Sequence, residues 1–145
     1  GTWGNIVTDS PQPSSVSTTG AATKVVCGGI GELTSSVTHA SVSVLGSCKY
    51  IQTANTATTL NLIGGGHDGT VCWQSTSDPV TINQYGGTVD FTELSQRVTP
   101  TALYAWAGML DLRGGLGGKT MVPPTFVVYG RPAIQWEPNS TVTPA

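Results

Sequence analysis

Charged side chains are scarce in this chain. Asp, Glu, Lys and Arg together make up 10% of its 145 residues, and the formal net charge is −2 at pH 7. An average soluble domain contains about 25% charged residues. Because there is no basic excess, the composition argues against nucleic-acid binding. Disordered chains combine low hydrophobicity with high net charge, so the composition instead favours a β-rich protein whose surface carries hydroxyl groups.

Long hydrophobic runs are also missing. No stretch of about 18 consecutive apolar residues occurs, so the sequence predicts no transmembrane helix and no membrane partner. It also lacks a basic segment followed by an apolar one, which is the pattern of a secretory signal. The sequence therefore predicts no signal peptide and favours synthesis in a cytoplasm, with an extracellular or cell-surface location as the alternative.

Cysteine is rare and odd in number. The three cysteines are Cys27, Cys48 and Cys72, and their spacing matches neither a CxxC pair nor a zinc-ligand set. The sequence favours buried thiols over disulfides. A disulfide between Cys27 and Cys48 is the remaining alternative. We expect no metal ion and no cofactor.

What the chain does contain is a repeat of roughly 20 residues, the period range of solenoid proteins. Residues 80–91 overlay residues 101–112 at an offset of 21. Each copy is a short alternating strand, a bend with glycine and a second alternating strand. Further copies start near residues 24, 42, 59 and 126.

These copies predict an all-β, single-domain parallel β-solenoid of about six short rungs. Apolar positions alternate with period two, and no segment shows helical periodicity. An antiparallel β-sandwich is the alternative. The predicted organisation is an extended N-terminal arm over residues 1–20, the solenoid over residues 21–136 and a C-terminal tail over residues 137–145.

Stacked rungs place equivalent residues in rows, because each rung buries its inward side chains only against its neighbours. One predicted row consists of Leu60, Ile82, Leu103 and Phe126. A second predicted row consists of Leu33, Ile51, Trp73, Phe91 and Leu112.

The N-terminal arm differs in composition from the repeats. It contains Pro11, Pro13 and a Ser/Thr-rich run without periodicity. Such a segment cannot bury enough apolar surface to order itself alone. We expect it to attach the protein to a partner, with Trp3 and Ile6 as anchors. Folding back to cap the first rung is the alternative.

Asp90 and Asp111 occupy equivalent positions in the two best-matched copies. Their apolar neighbours face inward, so both carboxylates are expected to face outward on adjacent rungs. Retaining glycosidases hold two carboxylates about 5–5.5 Å apart. Arg113 follows on the same face and would neutralise the pair. We therefore favour an exposed, charge-compensated ladder over a catalytic pair, and Asp90, Asp111 and Arg113 are a candidate ligand-binding face without catalytic residues.

Two further groups carry polar chemistry or aromatic rings. His67 and Asp68 lie in a glycine-rich loop, where a solvated loop tip is favoured over a catalytic base or a metal ligand. Tyr85, Trp106 and Tyr129 recur at one repeat position. A row in the core or at a corner is favoured there over a carbohydrate-binding stripe.

The repeated phrase in residues 80–91, apolar-x-apolar-x-aromatic-Gly-Gly-Thr-Val-Asp-Phe, resembles the rungs of known parallel β-helices. These are the right-handed parallel β-helix proteins of bacteriophage virions, of the decoration and fibre type, and autotransporter-type adhesins. The resemblance covers about residues 24–136. It implies a β-helix fold in a virion or cell-surface setting, and it implies no catalytic residues.

Three functions follow from these observations. The favoured one is a structural virion component, a phage capsid decoration or cement protein that binds the head shell. The alternatives are a carbohydrate-binding adhesin or tail-fibre module and a β-helix polysaccharide-degrading enzyme, for which six short rungs leave little room. The expected partners are other copies of the chain, with a trimer favoured, and a capsid or other virion protein.

Overall fold

The computed structural model describes residues 3–10, 15–63, 69–92, 100–111, 113 and 125–135. Within this part of the chain there are fourteen β-strands and no helix. In chain order the strands are β1 (Trp3–Ser10), β2 (Ser15–Thr18), β3 (Ala22–Gly29), β4 (Glu32–Ser35), β5 (His39–Leu45), β6 (Lys49–Gln52), β7 (Ala57–Ile63), β8 (Thr70–Trp73), β9 (Thr81–Gln84), β10 (Thr88–Asp90), β11 (Ala102–Ala105), β12 (Met109–Asp111), β13 (Thr125–Val128) and β14 (Ala133–Gln135).

The strands form two parallel sheets of seven strands each. The odd-numbered strands lie side by side in chain order and form sheet A, and the even-numbered strands form sheet B in the same way. Each turn of the chain therefore adds one strand to each sheet. This confirms the predicted all-β parallel β-solenoid. The sandwich alternative is excluded, since every described strand pair is parallel.

The first predicted row of core residues is confirmed. Leu60 is in register with Ile82, Ile82 with Leu103, and Leu103 with Phe126. The first three side chains are at most 1% exposed. The row forms because Leu, Ile and Phe recur at the inward position of consecutive sheet A strands.

The second predicted row is wrong in its register. Leu33 is in register with Tyr50 rather than with Ile51, because Glu32 pairs with Lys49 at an offset of 17 residues instead of the expected 18. The observed row continues through Val71, Val89 and Leu110. Leu112, the last member of the predicted row, lies outside the described residues.

The N-terminal segment differs from the extended arm predicted over residues 1–20. β1 pairs with β3 from Trp3 to Ser10, and β2 pairs with β4 along its length. Ile6 is half-buried and packs against the core. β1 and β2 thus add a further turn to the rungs recognised in the sequence. This arrangement corresponds to the alternative in which the segment caps the first rung, because it covers the edge strands β3 and β4.

Glycine lines the corner where the chain passes from sheet A to sheet B. Gly87 and Gly108 have φ angles of +64° and +90°, values that side chains disfavour. A Cβ atom on Gly108 would also overlap the carbonyl oxygen of Gly87, which lies in the turn before it. The turn of Gly108 can therefore stack closely on the turn before it only because Gly108 lacks a side chain.

A disulfide joins the second and third turns. Cys27 in β3 is bonded to Cys48, which directly precedes β6, and their Cα atoms are 6.0 Å apart. The bond confirms the alternative that the sequence left open, and the favoured expectation of buried thiols is wrong for these two residues. Cys72 is buried in β8 and is not part of the disulfide.

Candidate functional site

The structure brings Asp90, Asp111 and Arg113 together as predicted. Asp90 and Asp111 are register partners at the ends of β10 and β12. The Arg113 guanidinium donates two hydrogen bonds to the Asp111 carboxylate, from Nε to Oδ1 at 2.9 Å and from Nη2 to Oδ2 at 2.6 Å. Asp111 is only 4% exposed, so the exposed position expected for it from the sequence is wrong. These contacts form a bidentate, charge-assisted ion pair at the carboxyl end of β12.

The ion pair favours the charged forms of both Asp111 and Arg113. The hydrogen bonds from Arg113 lower the pKa of Asp111 against the opposing effect of burial. The same contact raises the pKa of Arg113, and the charge of Asp90 adds to that effect. A general acid of a glycosidase needs a raised pKa, so Asp111 is poorly suited to that role.

Both carboxylates also close backbone turns. Oδ1 of Asp90 accepts the N–H of Thr92 at 2.7 Å, and Oδ1 of Asp111 accepts the N–H of Arg113 at 3.2 Å. Ser75 does the same with its hydroxyl for the N–H of Ser77, at 3.1 Å. Side chains that accept from the residue two positions on are a common device for turning the chain. The geometry thus gives the two aspartates a structural task at the corner after sheet B.

A serine–histidine pair that sequence reasoning did not single out lies inside the solenoid. Nε2 of His39 lies 2.7 Å from the hydroxyl of Ser35, and the N–H of Ala22 donates to Nδ1 at 3.1 Å. Because Nδ1 accepts, the ring proton resides on Nε2 and is donated to Ser35. The hydroxyl of Tyr50 donates to the side chain of Gln52 close by. Ser35, His39, Tyr50 and Gln52 are all fully buried, so no substrate can reach this pair.

Burial controls the pKa values in this buried cluster. It lowers the pKa of His39 below its ordinary value, and it raises the pKa of the Tyr50 hydroxyl. Both groups are therefore held neutral. The only sequence signal for the cluster was a histidine and a glutamine at inward positions of strands.

The exposed aromatic rings form the most distinctive surface feature. The ring centroids of Tyr85 and Trp106 are 4.5 Å apart, and those of Trp106 and Tyr129 are 4.7 Å apart. The ring planes are nearly parallel, with angles of 17° and 15°. Tyr85 is 46% and Tyr129 is 59% exposed. We call these three residues the aromatic stack. It lies on the outside of the corner and not in the core.

Polar rows run beside the aromatic stack on the outer face of sheet A. Tyr104 belongs to the next row, with its ring centroid 6.2 Å from that of Trp106. It is in register with Asn83, which in turn is in register with Asn61. Nδ2 of Asn83 donates to Oδ1 of Asn61 at 2.9 Å. The strands β9, β11 and β13, which directly precede the three rings of the aromatic stack, contain no charged residue.

Three other residues singled out in the sequence do not contribute a described side chain. His67 and Asp68 lie outside the described residues, and the backbone of Trp3 belongs to β1 while its side chain is not described. Tyr50, unlike the rings of the aromatic stack, is fully buried in the core. Within the described part of the chain, no group of three or more His, Cys, Asp and Glu side chains could hold a metal ion. The same part contains no helix of the length and hydrophobicity that crossing a bilayer requires.

The fold described above is that of a parallel β-solenoid. No protein-family model matches the chain, and comparison with curated proteins and with solved structures finds no match.

Proposed function

We propose that the chain is a structural component of a virion, a capsid decoration or cement protein that binds the head shell. One observation carries the proposal: the solenoid core is incompletely covered at both ends of the described structure. Val128 in the last sheet A strand is 44% exposed, whereas Gln84 and Ala105, its counterparts in the two preceding strands of this inward row, are fully buried.

The first sheet A strand, at the other end of the solenoid, shows the same loss of burial. Ile6 in β1 is half-buried, and its register partner Val25 in β3 is fully buried. A solenoid buries each turn only against its neighbours, so its terminal turns need caps or partners. Exposed strand edges offer backbone groups for pairing with another chain. Attachment through the ends suits a protein that docks on a shell or on copies of itself, with a trimer as the favoured state.

Two further features support a structural role. The ion pair and the turn contacts of Asp90 and Asp111 give these carboxylates a place in the architecture, and the Ser35–His39 pair is inaccessible. Disulfides persist on secreted proteins and on virion surfaces, which suits the Cys27–Cys48 bond. The proposal therefore includes no catalytic activity and no cofactor.

The test is binding to particles. Particles purified from the source of the chain are sedimented through a density gradient, and the chain is detected with a specific antibody. We expect the chain to co-sediment with the head shell. Recovery only as a free monomer, with none in the particle fractions, would overturn it.

A pair of variants shows which surface attaches. Val128→Glu places a charge on the uncovered end, and Ile63→Glu places one in the middle of the solenoid at a similarly exposed position, 47% against 44%. We expect Val128→Glu to weaken binding to isolated shells at least tenfold and Ile63→Glu to leave it unchanged. Equal loss in both variants would contradict attachment through the end.

A further inference from the structure

The aromatic stack combines exposed apolar surface with unused polar groups. Within the described residues, no hydrogen bond engages the hydroxyls of Tyr85, Tyr104 and Tyr129 or the indole N–H of Trp106. Buried tyrosine and tryptophan usually find a partner for these groups. Here Tyr85 and Tyr129 are exposed and Tyr104 and Trp106 are partly exposed, so a ligand on this surface can approach the four side chains.

The stacking also determines which part of each ring a ligand meets. Because the flat faces lie against one another, the row presents ring edges along its length. Ring edges carry partial positive charge, so they attract oxygen atoms, whereas ring faces attract C–H groups and cations. The hydroxyl and ring oxygens of a sugar suit the edges, and its hydroxyl groups can exchange hydrogen bonds with the tyrosine and indole tips.

The neighbouring row supplies fixed amide groups. The hydrogen bond from Asn83 to Asn61 uses one donor of Asn83 and one acceptor of Asn61. The Asn83 carbonyl oxygen and the Asn61 amide protons keep capacity for further hydrogen bonds. Sugar hydroxyls both donate and accept, so they can satisfy both kinds of group.

Charge decides the class of ligand. The outward side chains of β9, β11 and β13 are threonine, asparagine, alanine, tyrosine and valine, without an ion among them. A nucleic acid or an acidic polysaccharide needs basic side chains. We propose that the aromatic stack, together with Asn83 and Tyr104, binds a neutral glycan that lies along the solenoid axis and spans successive turns. This site goes beyond the structural role proposed above and does not depend on it.

The experiment is affinity electrophoresis of the whole chain in native gels. The neutral probes are dextran, galactomannan and hydroxyethylcellulose, and the acidic comparator is alginate. We expect retardation by at least one neutral polysaccharide and none by alginate. The retardation should persist at about 1 M NaCl, where the Debye length falls to about 3 Å. Absence of retardation by every neutral probe, or retardation by alginate alone, would overturn the proposal.

Variants locate the site. Trp106→Ala interrupts the stack and should weaken retardation at least tenfold, and Tyr85→Ser should weaken it severalfold. Ile30→Ala is the matched control, since Ile30 is as exposed as Tyr85, at 46%, but lies after β3 and away from the stack. Circular dichroism and melting curves identify any variant that fails to fold, and Tyr85→Ser keeps the test valid if Trp106→Ala unfolds.

Two results would contradict the assignment of the site. Unchanged retardation in both stack variants would place glycan binding elsewhere on the chain. A wild-type protein that self-associates in light scattering, binds no glycan and becomes monomeric on Tyr85→Ser would show that the stack contacts a second copy instead.

Discussion

Gln84, the last residue of β9 in sheet A, contacts Met109, the first residue of β12 in sheet B. Its side-chain amide donates to the carbonyl oxygen of Met109 at 2.7 Å and to that of Gly87 at 3.2 Å. Gln84 is fully buried, and β9, in which it lies, belongs to the turn before that of Met109. One polar side chain thus links the two sheets and two successive turns.

Replacement of Gln84 by Ala should therefore be costly. It removes two buried hydrogen bonds, each worth about 1 kcal/mol, and leaves a cavity, so we expect a loss of about 2–3 kcal/mol in the free energy of unfolding. Urea denaturation measures it. Asn83→Ala is the control, because its side chain lies on the outer face and should cost less than about 1 kcal/mol. Similar values for both variants would contradict the bridging role of Gln84.

The disulfide gives a second prediction. Replacement of both Cys27 and Cys48 by Ser should lower the free energy of unfolding by about 3 kcal/mol, because the bond closes a loop across 21 residues. The native chain, unfolded without reductant, should titrate one thiol, and the reduced chain three. Three thiols before reduction would show that the bond is absent.

The regularity of the pattern explains which parts of the fold were predictable. Leu60 and Ile82 each lie between a threonine and an asparagine, and Leu103 recurs at the same position of the next copy, so the register of these sheet A strands could be predicted from the sequence. At β6 both Tyr50 and Ile51 are apolar, so alternation does not fix the register, and the predicted row was displaced by one residue. A shift of one residue moves each side chain to the other face of a sheet.

Other features of the structure were harder to predict, because they depend on contacts between residues that are distant in the sequence. β1 carries little apolar periodicity and is held by backbone pairing with β3, which composition does not reveal. The position of Asp90 beside Asp111 was predicted correctly, because both follow the same motif at the same repeat position. Their use as turn acceptors could not be predicted, since it depends on backbone N–H groups that the sequence pattern does not place.

A third prediction concerns pH. Burial lowers the pKa of His39 below the value of 6.5 expected when the chain is unfolded. The unfolded chain therefore binds more protons than the folded chain as the pH falls through 6.5, and stability must fall with it. Protonation of Nδ1 would also break the hydrogen bond from Ala22. The contribution of His39 should be complete above about pH 7.5, where unfolded histidine is neutral.

The measurement is urea unfolding at pH 5, 6, 7 and 8, compared between the wild type and His39→Gln. Subtracting the free energies of unfolding of His39→Gln from those of the wild type removes the contribution of all other titrating groups. We expect the stability advantage of the wild type to grow from pH 5 to pH 7 and then level off. An advantage that grew towards acid pH would mean that the folded chain holds His39 protonated.

Deletion of residues 1–20 distinguishes a first turn from a separate arm. Val25 and Leu33 are fully buried and would lose the neighbours that β1 and β2 provide. We expect the truncated chain to lose about 2 kcal/mol or more and to melt at a lower temperature. Unchanged melting together with weaker particle binding would instead support the arm with Trp3 and Ile6 as anchors.

Cysteine cross-linking tests the central claim most directly, namely that equivalent residues of successive turns stand in rows. Asn61 and Asn83 are register partners on adjacent strands, and adjacent strands lie about 4.8 Å apart, within reach of a disulfide. We predict that Asn61→Cys combined with Asn83→Cys forms an intramolecular disulfide on mild oxidation, detected by peptide mass spectrometry. Asn61→Cys combined with Tyr104→Cys, one strand further along the same row, should form none. Equal cross-linking of both pairs, or of the second pair alone, would contradict the solenoid register.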